Sequence, residues 1–423
     1  MGWVAMSGAR GSMAAGRYAD LTTPVKCLCT VTSARLPLGG PARAREQRPR
    51  PASFPYNDRQ TTAPLPGCPA GTFRRIETMS STTSMNLVGV GIAIVLIAAV
   101  IIGVLLWRAH LKRKFGPLPP VPDDVRAAGD AKEWASLNRH HMPVWTSDPA
   151  HFTPAAHHRL IAITAPYALC HHDPWELFDL SDPDDNRTMI ERDWGISSRA
   201  ELIEQLHSLL TEGHRSTFAA ERDRWSDPQL AEADAARFRI DAATSQPHAE
   251  ALWRVERMRN NERNIRNIDY TAWDLIRAAM LARNGAAFGW LTSEQAWDTL
   301  ALIDWALRQQ YSSWAQLWEA FRVTRWWWIS EGGETERWND LHDRNRGLAL
   351  LSPGRPWAVV PWDMPVPGPQ LLIVDDMIAL DGTEPMGPQA REYATGWERW
   401  IDDQIRARTT KRPGTHRFNN KIN

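Results

Sequence analysis

Residues 271–309 read TAWDLIRAAMLARNGAAFGWLTSEQAWDTLALIDWALRQ, and this stretch predicts two consecutive helices. The first helix covers residues 271–284, where Trp273 and Ile276 begin an apolar face with helical spacing. Gly285 follows that face directly, which is a position where helices commonly end.

The second helix begins at a capping box, in which the side chains of Thr292 and Gln295 each hydrogen-bond the backbone of the other residue. It continues to about Gln309. Apolar side chains cover two of its sides: Ala296, Leu300, Ile303 and Leu307 on one, and Trp297, Ala301 and Trp305 on the other. A helix that is apolar over most of its surface belongs in a protein core. We therefore predict that this is the central, most buried helix.

Capping boxes and apolar stripes predict further helices on either side of this pair. Ser198 and Glu201 form a capping box before a leucine stripe that ends at Gly213. Ser313 and Gln316 form another before a tryptophan-rich helix. The fold class predicted from these signals is mainly α.

The C-terminal part of the chain has a different pattern. Residues 356–362 and 370–380 are short apolar runs among Pro and Gly turns, which predicts strands. Residues 388–408 predict a last helix, and the basic end after it should be frayed. We therefore predict a small β-containing region after the helical domain.

Polar and aromatic motifs follow one another through the helical domain in a fixed order. They are Trp194-Gly195-Ile196, Gly213-His214, Ala272-Trp273-Asp274 with Arg277, Gly289, Glu294-Gln295-Ala296-Trp297, Ser313-Trp314 and a closing aromatic run. In this combination the chain, over about residues 190–330, resembles the bacterial domain-of-unknown-function family 1266. It departs from the family at Val323-Thr324-Arg325, where a Gly-Arg pair is expected. The family has no established activity, so the resemblance implies a largely helical fold and no particular reaction.

A run of 21 residues, Leu87 to Trp107, has no charged or strongly polar side chain. As a helix it would span roughly 31 Å, the thickness of a bilayer's hydrocarbon core. Soluble core helices are usually shorter, and a signal peptide would end at a small-residue cleavage site rather than at Trp107 and the basic cluster 108–114. We predict a single-pass transmembrane helix in the cell membrane. Because basic flanks favour the cytoplasmic side, the C-terminal domain should be cytoplasmic.

The domain organisation follows from this anchor. Residues 1–84 are rich in Arg, Pro and Gly without apolar periodicity, so we expect them to be disordered or outside the natural product. Residues 85–115 comprise the anchor with its basic flank, and residues 116–154 read as a Pro-rich, extended spacer. The helical domain then covers residues 155–345, and the small α+β extension covers residues 346–423.

Composition constrains the partners, the compartment and the core of the part of the chain after the anchor. Residues 1–115 hold 15 Lys and Arg against 4 Asp and Glu, which leaves 34 against 45, a net charge of −11, for the rest. Such an acidic portion lacks the basic footprint of a nucleic-acid-binding protein, so we expect no nucleic-acid partner. Cys170 is the one cysteine after the anchor, which fits a reducing cytoplasm. Twenty of the 22 tryptophans also lie there, so this portion must have a substantial core.

The polar members of the family-like motifs are the first candidates for a site. His214, Asp274 and Arg277 could bind an anionic ligand or perform acid–base chemistry. In the structural alternative, Asp274 and Arg277 form an ion pair that orients helices while His214 caps a helix end. Because buried polar residues more often satisfy one another than catalyse, the structural interpretation is favoured.

A second set of candidates is rich in histidine. It offers ligands that zinc accepts: His157, His158, Cys170, His171, His172 and Asp173, with His140 and His141 upstream. Adjacent histidines point apart, and neither a CxxC nor an HExxH spacing is present. Solvent-facing histidines in a loop are therefore the favoured interpretation, and we predict no metal ion and no cofactor.

Two functions remain open at this point. The favoured one is a membrane-anchored protein whose cytosolic helical domain binds a partner, expected to be another protein, in an interaction or scaffolding role. Small residues in the anchor at four-residue spacings, such as Ala99 and Gly103, would also allow a homo-oligomer. The alternative is a membrane-tethered enzyme or small-anion receptor that uses His214, Asp274 and Arg277.

Overall fold

The computed structural model describes residues 92–107, 119–379 and 385–411. The chain divides into two units, and residues 92–107 belong to a different unit from the other described residues. Each unit is therefore described by itself. The segment 1–84, predicted to be disordered or outside the natural product, and the predicted frayed end beyond residue 411 lie outside the described residues.

Residues 92–107 form one helix, α1, from the apolar run of the sequence. All of its side chains are exposed, and its large apolar ones keep between 50% and 67% of their surface accessible. Within the described ranges, no helix combines the length and the apolar character that crossing a membrane requires.

The second unit consists of α-helices. They are α2 (Asp123–Ala127), α3 (Ala131–His140), α4 (Ala156–Ile161), α5 (Ala165–His171), α6 (Pro183–Trp194), α7 (Arg199–Thr211), α8 (Arg215–Ser226), α9 (Pro228–Asp241), α10 (Gln246–Arg259), α11 (Thr271–Ala287), α12 (Ser293–Gln310), α13 (Trp314–Ile329), α14 (Gly333–Leu351), α15 (Pro356–Val359), α16 (Leu372–Ala379), α17 (Pro388–Tyr393) and α18 (Gly396–Lys411). The prediction of a mainly α fold is confirmed. The only β-type pairing among the described residues is an isolated bridge between Val144 and Pro174.

The central helix is α11, and the prediction that α12 would be the most buried one is wrong. Every residue from 271 to 285 is buried, because α11 packs against α7, α12 and α13 at once. In α12 the first turn is exposed, and Arg308 to Gln310 also reach solvent. Gly285 does not end α11 but lies inside it, where a Cβ atom would collide with the side chain of Leu202. It is a close-packing residue rather than a stop signal.

The predicted capping residues begin the helices that were expected of them. The Thr292 and Gln295 side chains form both bonds of the capping box at α12. Ser198 and Ser313 accept the backbone N–H three residues further on at α7 and α13. These contacts lie within one helical turn, so a local sequence pattern suffices to specify them.

The strands predicted at residues 356–362 and 370–380 are absent, and the described residues form α15 and α16 there. A short apolar run fits either a strand or a buried helix, and tertiary contacts decide between them. Here Asp298 of α12 accepts the backbone N–H groups of Gln370 and Leu372, the latter at 2.6 Å. This carboxylate caps the first turn of α16 from another helix, so the chain coils at that point.

The predicted extended spacer, residues 116–154, contains two helices where it is described. Helix α3 packs against α14, and Trp134 and Leu137 form a small buried cluster with Val125 and Leu341. An amphipathic pattern in ten residues was sufficient to bury this face once α14 supplied a partner surface.

An arginine of α4 is fully buried in the core. The guanidinium carbon of Arg159 lies 4.1 Å from the ring centre of Trp314 and 4.4 Å from that of Trp362. Arg159 also pairs with Asp304 at 2.8 Å and donates to the backbone oxygen of Trp362 at 3.0 Å. The buried cation is compensated by a carboxylate, a carbonyl and two indole faces, as its desolvation requires.

Candidate functional site

The turn between α7 and α8 brings His214 to the central helix. Helix α7 ends at Thr211, and Gly213 continues with a φ of +57°, a conformation that favours glycine. A Cβ atom at Gly213 would collide with the carboxylate of Asp274 in α11. The missing side chain at this position therefore allows the carboxylate to approach the backbone of the turn.

Asp274 is fully buried and accepts four hydrogen bonds. Its Oδ2 atom accepts the backbone N–H of His214 at 2.8 Å, the backbone N–H of Arg215 at 3.1 Å and the Arg215 guanidinium at 3.2 Å. Its Oδ1 atom lies 3.0 Å from Nδ1 of His214. Burial alone would raise the pKa of Asp274, but the hydrogen bonds and charges of His214 and Arg215 outweigh it and lower the pKa.

Arg277 lies one turn after Asp274 and faces the same imidazole. Its Nη1 atom is 3.3 Å from His214 Nδ1, and its guanidinium carbon lies 4.3 Å from the ring centre of Trp194 and 4.9 Å from that of Trp273. The three candidates His214, Asp274 and Arg277 therefore converge in the structure. The buried Nη2 atom of Arg277 has no hydrogen-bond partner.

Arg215, which sequence reasoning missed, is the ion-pair partner that the structure gives to Asp274. It also donates to the last carbonyls of α7, at Leu209 and Leu210, and pairs with Glu398 of α18. The charges of two buried cations, Arg215 and Arg277, are thus balanced by those of two buried carboxylates, Asp274 and Glu398. The cluster is electrically balanced, which supports a structural role for Asp274. The signal in the sequence that could have pointed to Arg215 is its position directly after the Gly213-His214 motif.

His214 is the accessible member of this cluster, because 42% of its side chain is exposed. Its side chain does not cap a helix, contrary to the structural alternative. A buried carboxylate that holds Nδ1 of an accessible imidazole leaves Nε2 for proton transfer or ligand contact. Within this cluster, the imidazole of His214 is therefore the group suited to acid–base chemistry.

Three other histidines lie close together, and we call them the histidine cluster: His140, which is half-buried, and His141 and His342, which are buried. One potential ligand atom from each lies within 4.8 Å of the others, in the described part of the chain. His140 and His141 end α3, and His342 lies on α14. Burial lowers the pKa of each of the three to about 4.

The histidines predicted as loop residues lie on helices or at their ends. His157 and His158 are in α4, where His158 Nδ1 accepts the backbone N–H of Ala155 at 2.9 Å. They are not members of the histidine cluster. Cys170 and His171 lie in α5, and His172 follows it in a left-handed conformation.

Of the metal candidates, two lie beside the histidine cluster. The ring of His172 stands edge-on to His140 at 4.9 Å, and Cys170 adjoins His141 while its thiol donates to the backbone oxygen of Pro166 at 3.5 Å. Cys170 is buried, with the Arg346 guanidinium 3.3 Å from its sulfur. No local pattern connects His342 to these residues, since about 200 positions separate it from His141 in the chain.

A groove with a volume of about 360 Å³ lies between α2 and α14. Its lining is charged: Asp124, Asp130, Arg263, Glu336, Arg337, Asp340 and Arg344 contribute to it. Two ion pairs hold α14 along it: Arg337 pairs with Asp130, which precedes α3, and Arg344 pairs with Asp124 of α2 at 2.7 Å.

Comparison with known proteins confirms the resemblance stated from the sequence. Residues 189–362 match the model of the family described as "Protein of unknown function (DUF1266)". The chain is also similar to a protein of Escherichia coli (strain K12) described as "Uncharacterized protein YbeR", at 23% identity over 150 residues. That alignment covers 32% of this chain and 55% of the relative, so the chain spans about half the length of the curated relative it matches. No solved structure matches the chain.

Proposed function

We propose that the chain is a single-pass membrane protein whose helical domain binds a protein partner on the cytoplasmic side. One observation carries the membrane part: every side chain of α1 is exposed, and none is polar. In the sequence, the apolar run extends five residues further, to Leu87. An apolar surface of this kind requires cover, and lipid is the cover that its length and composition suit.

The free energy of transfer agrees with this assignment. Eleven of the residues in α1 are Leu, Ile or Val. At about 0.3–0.6 kcal/mol each, they favour insertion by roughly 3–7 kcal/mol in total. The basic cluster 108–114 favours cytoplasmic placement of the C-terminal side. Ala99 and Gly103 lie four residues apart, so two copies of α1 could also pack through a small-residue face.

The membrane proposal is tested by extraction of cell membranes with alkaline carbonate. The wild-type chain should stay in the pellet, whereas Ile97→Arg combined with Ile101→Arg should release it, since each central arginine costs about 2.5–3.5 kcal/mol. Ile97→Val with Ile101→Val is the matched control and should remain in the pellet. Release of the wild type would overturn the anchor. A C-terminal tag digested by protease on intact cells would overturn the orientation.

The partner is proposed to bind at the charged groove between α2 and α14. Charged residues from Asp124 to Arg344 outnumber the apolar residues in its lining, which are Val125, Ala128 and Leu341. The exposed ion pair of Arg344 and Asp124 can exchange partners at small cost, because exposed pairs contribute only about 0–1 kcal/mol. A segment of a partner that carries charges of both signs would fit this surface.

Site-specific crosslinking tests the groove. A photo-reactive residue at position 344 of the full chain should give one discrete adduct in cells, and Arg337→Glu should reduce its yield at least tenfold. Arg239→Glu, at an exposed arginine on α9 that also pairs with a carboxylate, is the control and should leave the yield unchanged. An adduct pattern that Arg337→Glu does not alter would exclude the groove as the partner site.

A second candidate function is supported by the convergence of His214, Asp274 and Arg277. In that case the accessible ring of His214 would contact a small anionic ligand, with inorganic phosphate as the first probe. Phosphate should then shift the His214 imidazole resonances saturably, and Asp274→Asn should weaken the effect. Resonances that do not respond to phosphate would leave this cluster with a structural role only.

A further inference from the structure

The histidine cluster at the junction of α3, α5 and α14 has no part in the proposed function. Three imidazoles in contact are unusual where two of them are buried, because each buried ring must find partners for two nitrogens away from water. The hydrogen bonds around the cluster determine where the ring protons lie.

The protonation of His141 follows from Asn345. The side-chain amide nitrogen of Asn345 donates to Asn138 at 2.7 Å, so its oxygen is the atom that faces His141 Nδ1 at 2.8 Å. An oxygen there requires a proton on Nδ1. In the neutral ring the Nε2 atom then carries the lone pair, and this nitrogen lies 3.0 Å from Nε2 of His342.

In its neutral form the second ring, His342, cannot satisfy both of its neighbours. If its proton is on Nε2, it donates to His141, but its bare Nδ1 then faces the Asp343 carboxylate at 3.5 Å. If its proton is on Nδ1, it points to Asp343, but two Nε2 lone pairs then face one another. Asp343 is held ionised by Arg325 at 2.8 Å and Arg346 at 2.9 Å. In the structure, Nδ1 of His342 is buried without a hydrogen-bond partner, and so is Nε2 of His140.

We propose that a divalent transition-metal ion, zinc by its ligand preference, binds between the imidazoles of His140, His141 and His342. A cation at this point replaces the lone-pair repulsion with two bonds and allows the Nδ1–H of His342 to face Asp343. Metal-binding histidines commonly donate the other ring N–H to a carboxylate or an amide oxygen. Asp343 and Asn345 stand in those two positions.

The distances suit such an ion after a small adjustment of one ring. Zinc–nitrogen bonds of about 2.0–2.1 Å place tetrahedral ligand atoms roughly 3.3 Å apart. The His141 and His342 nitrogens are within a few tenths of an ångström of that separation. His140 must move inward, and as the half-buried last residue of α3 it is the most easily displaced of the three.

The fourth ligand is assigned to Cys170. Its side chain adjoins His141. Its thiol donates to the backbone oxygen of Pro166 at 3.5 Å, so it must turn toward the three rings and lose its proton to bind zinc as a thiolate. A site of three histidines and one cysteine is closed to substrate. It would therefore tie α3, α5 and α14 together rather than perform chemistry.

The test uses the full chain without a polyhistidine tag, stripped with a chelator and titrated with Zn²⁺ and with Co²⁺. One equivalent of Zn²⁺ should bind saturably. His140→Gln and His342→Gln should each weaken binding more than tenfold. Asn345→Leu should weaken it about 10–100-fold, because it removes the oxygen that accepts the Nδ1–H of His141. His157→Gln is the matched control, since it removes a histidine outside the cluster, and should bind as the wild type does.

Cobalt reports on the ligands directly. Bound Co²⁺ should show the strong visible bands of a tetrahedral site and a sulfur-to-cobalt charge-transfer band that Cys170→Ser abolishes. If His342→Gln fails to fold by circular dichroism, the His140→Gln variant at the helix end decides. The site is refuted if Zn²⁺ does not saturate at one equivalent, or if His140→Gln binds as tightly as the control. A cobalt spectrum without the sulfur band refutes the assignment of Cys170.

Discussion

The Oδ2 atom of Asp274 lies 2.8 Å from the backbone nitrogen of His214, which is 60 positions away in the chain. The same oxygen accepts the backbone N–H of Arg215, so a carboxylate of the central helix caps the first turn of α8. A negative charge at a helix N-terminus is favoured by the helix dipole and by the free N–H groups there. This relationship explains why the Gly213-His214 motif and the Asp274 motif occur together in the sequence.

The first prediction concerns the charge of Asp274. Asp274→Asn keeps the shape but leaves Arg215 with less compensation in the core, so we expect the free energy of unfolding to fall by about 3–5 kcal/mol. Urea denaturation measures the change. Asp223→Asn, at an exposed aspartate paired with its neighbour Arg222, is the control and should change it by less than about 0.5 kcal/mol. Equal effects of the two variants would contradict the capping role.

The second prediction separates backbone strain from steric collision at Gly213. Alanine at a left-handed position costs about 1–2 kcal/mol, which should be the whole cost of Gly195→Ala, where φ is +67° and the space is open. Gly213→Ala adds a collision with the Asp274 carboxylate, so it should destabilise by clearly more. Thermal unfolding of the two variants gives the comparison. A smaller loss for Gly213→Ala than for Gly195→Ala would show that the carboxylate moves freely.

The third prediction concerns the cap that α12 provides for α16. Asp298→Ala removes the acceptor for two backbone N–H groups, so α16 should lose about 1–2 kcal/mol of local stability. Amide hydrogen exchange over residues 372–379 should therefore accelerate. Asp227→Ala removes the cap of α9 in the same way and serves as the control, because it should accelerate exchange in α9 alone. Unchanged exchange in α16 would contradict the cap.

The fourth prediction is a pH dependence at His207 of α7. Burial lowers the pKa of this ring, whose Nε2 atom has no hydrogen-bond partner. The unfolded chain therefore binds the proton more readily than the folded one. The resulting stability is present above the unfolded pKa of about 6.5 and is lost as the pH falls below it.

The measurement is the free energy of unfolding in urea at a series of pH values below about 6.5, for the wild type and for His207→Gln. Removing the ring should flatten the slope by up to about 1.4 kcal/mol per pH unit. Parallel curves for the two proteins would show that the folded and unfolded states protonate His207 equally, which would contradict the lowered pKa.

The sequence predicts those features that depend on neighbours within one helical turn. Ser198, Thr292 and Ser313 cap helices through contacts three residues away, so the starts of α7, α12 and α13 could be read directly. The Trp194 to Trp328 motif order similarly indicated His214, Asp274 and Arg277, and the fold brings these three side chains together.

The remaining features depend on distant partners. Helix α16 replaces a predicted strand because Asp298, more than 70 positions earlier, caps it. Helix α3 replaces a predicted spacer because α14 covers Trp134. His342 contacts His141 across 201 positions of the chain, and no spacing within one sequence reveals such a contact. The order of burial between α11 and α12 likewise depends on how many helices surround each one, which apolar content alone does not determine.

Arg159 lies outside residues 189–362, yet it is enclosed by three residues within that range: Asp304, Trp314 and Trp362. A fragment limited to residues 189–362 would lack Arg159, the fully buried cation that pairs with Asp304. It would also expose to water the two indole faces that Arg159 covers. Breaking a buried pair in this way costs about 3–5 kcal/mol, a large share of a domain's stability. The part of the chain that folds as a unit is therefore larger than the part that sequence comparison recognises, and α4 belongs to it.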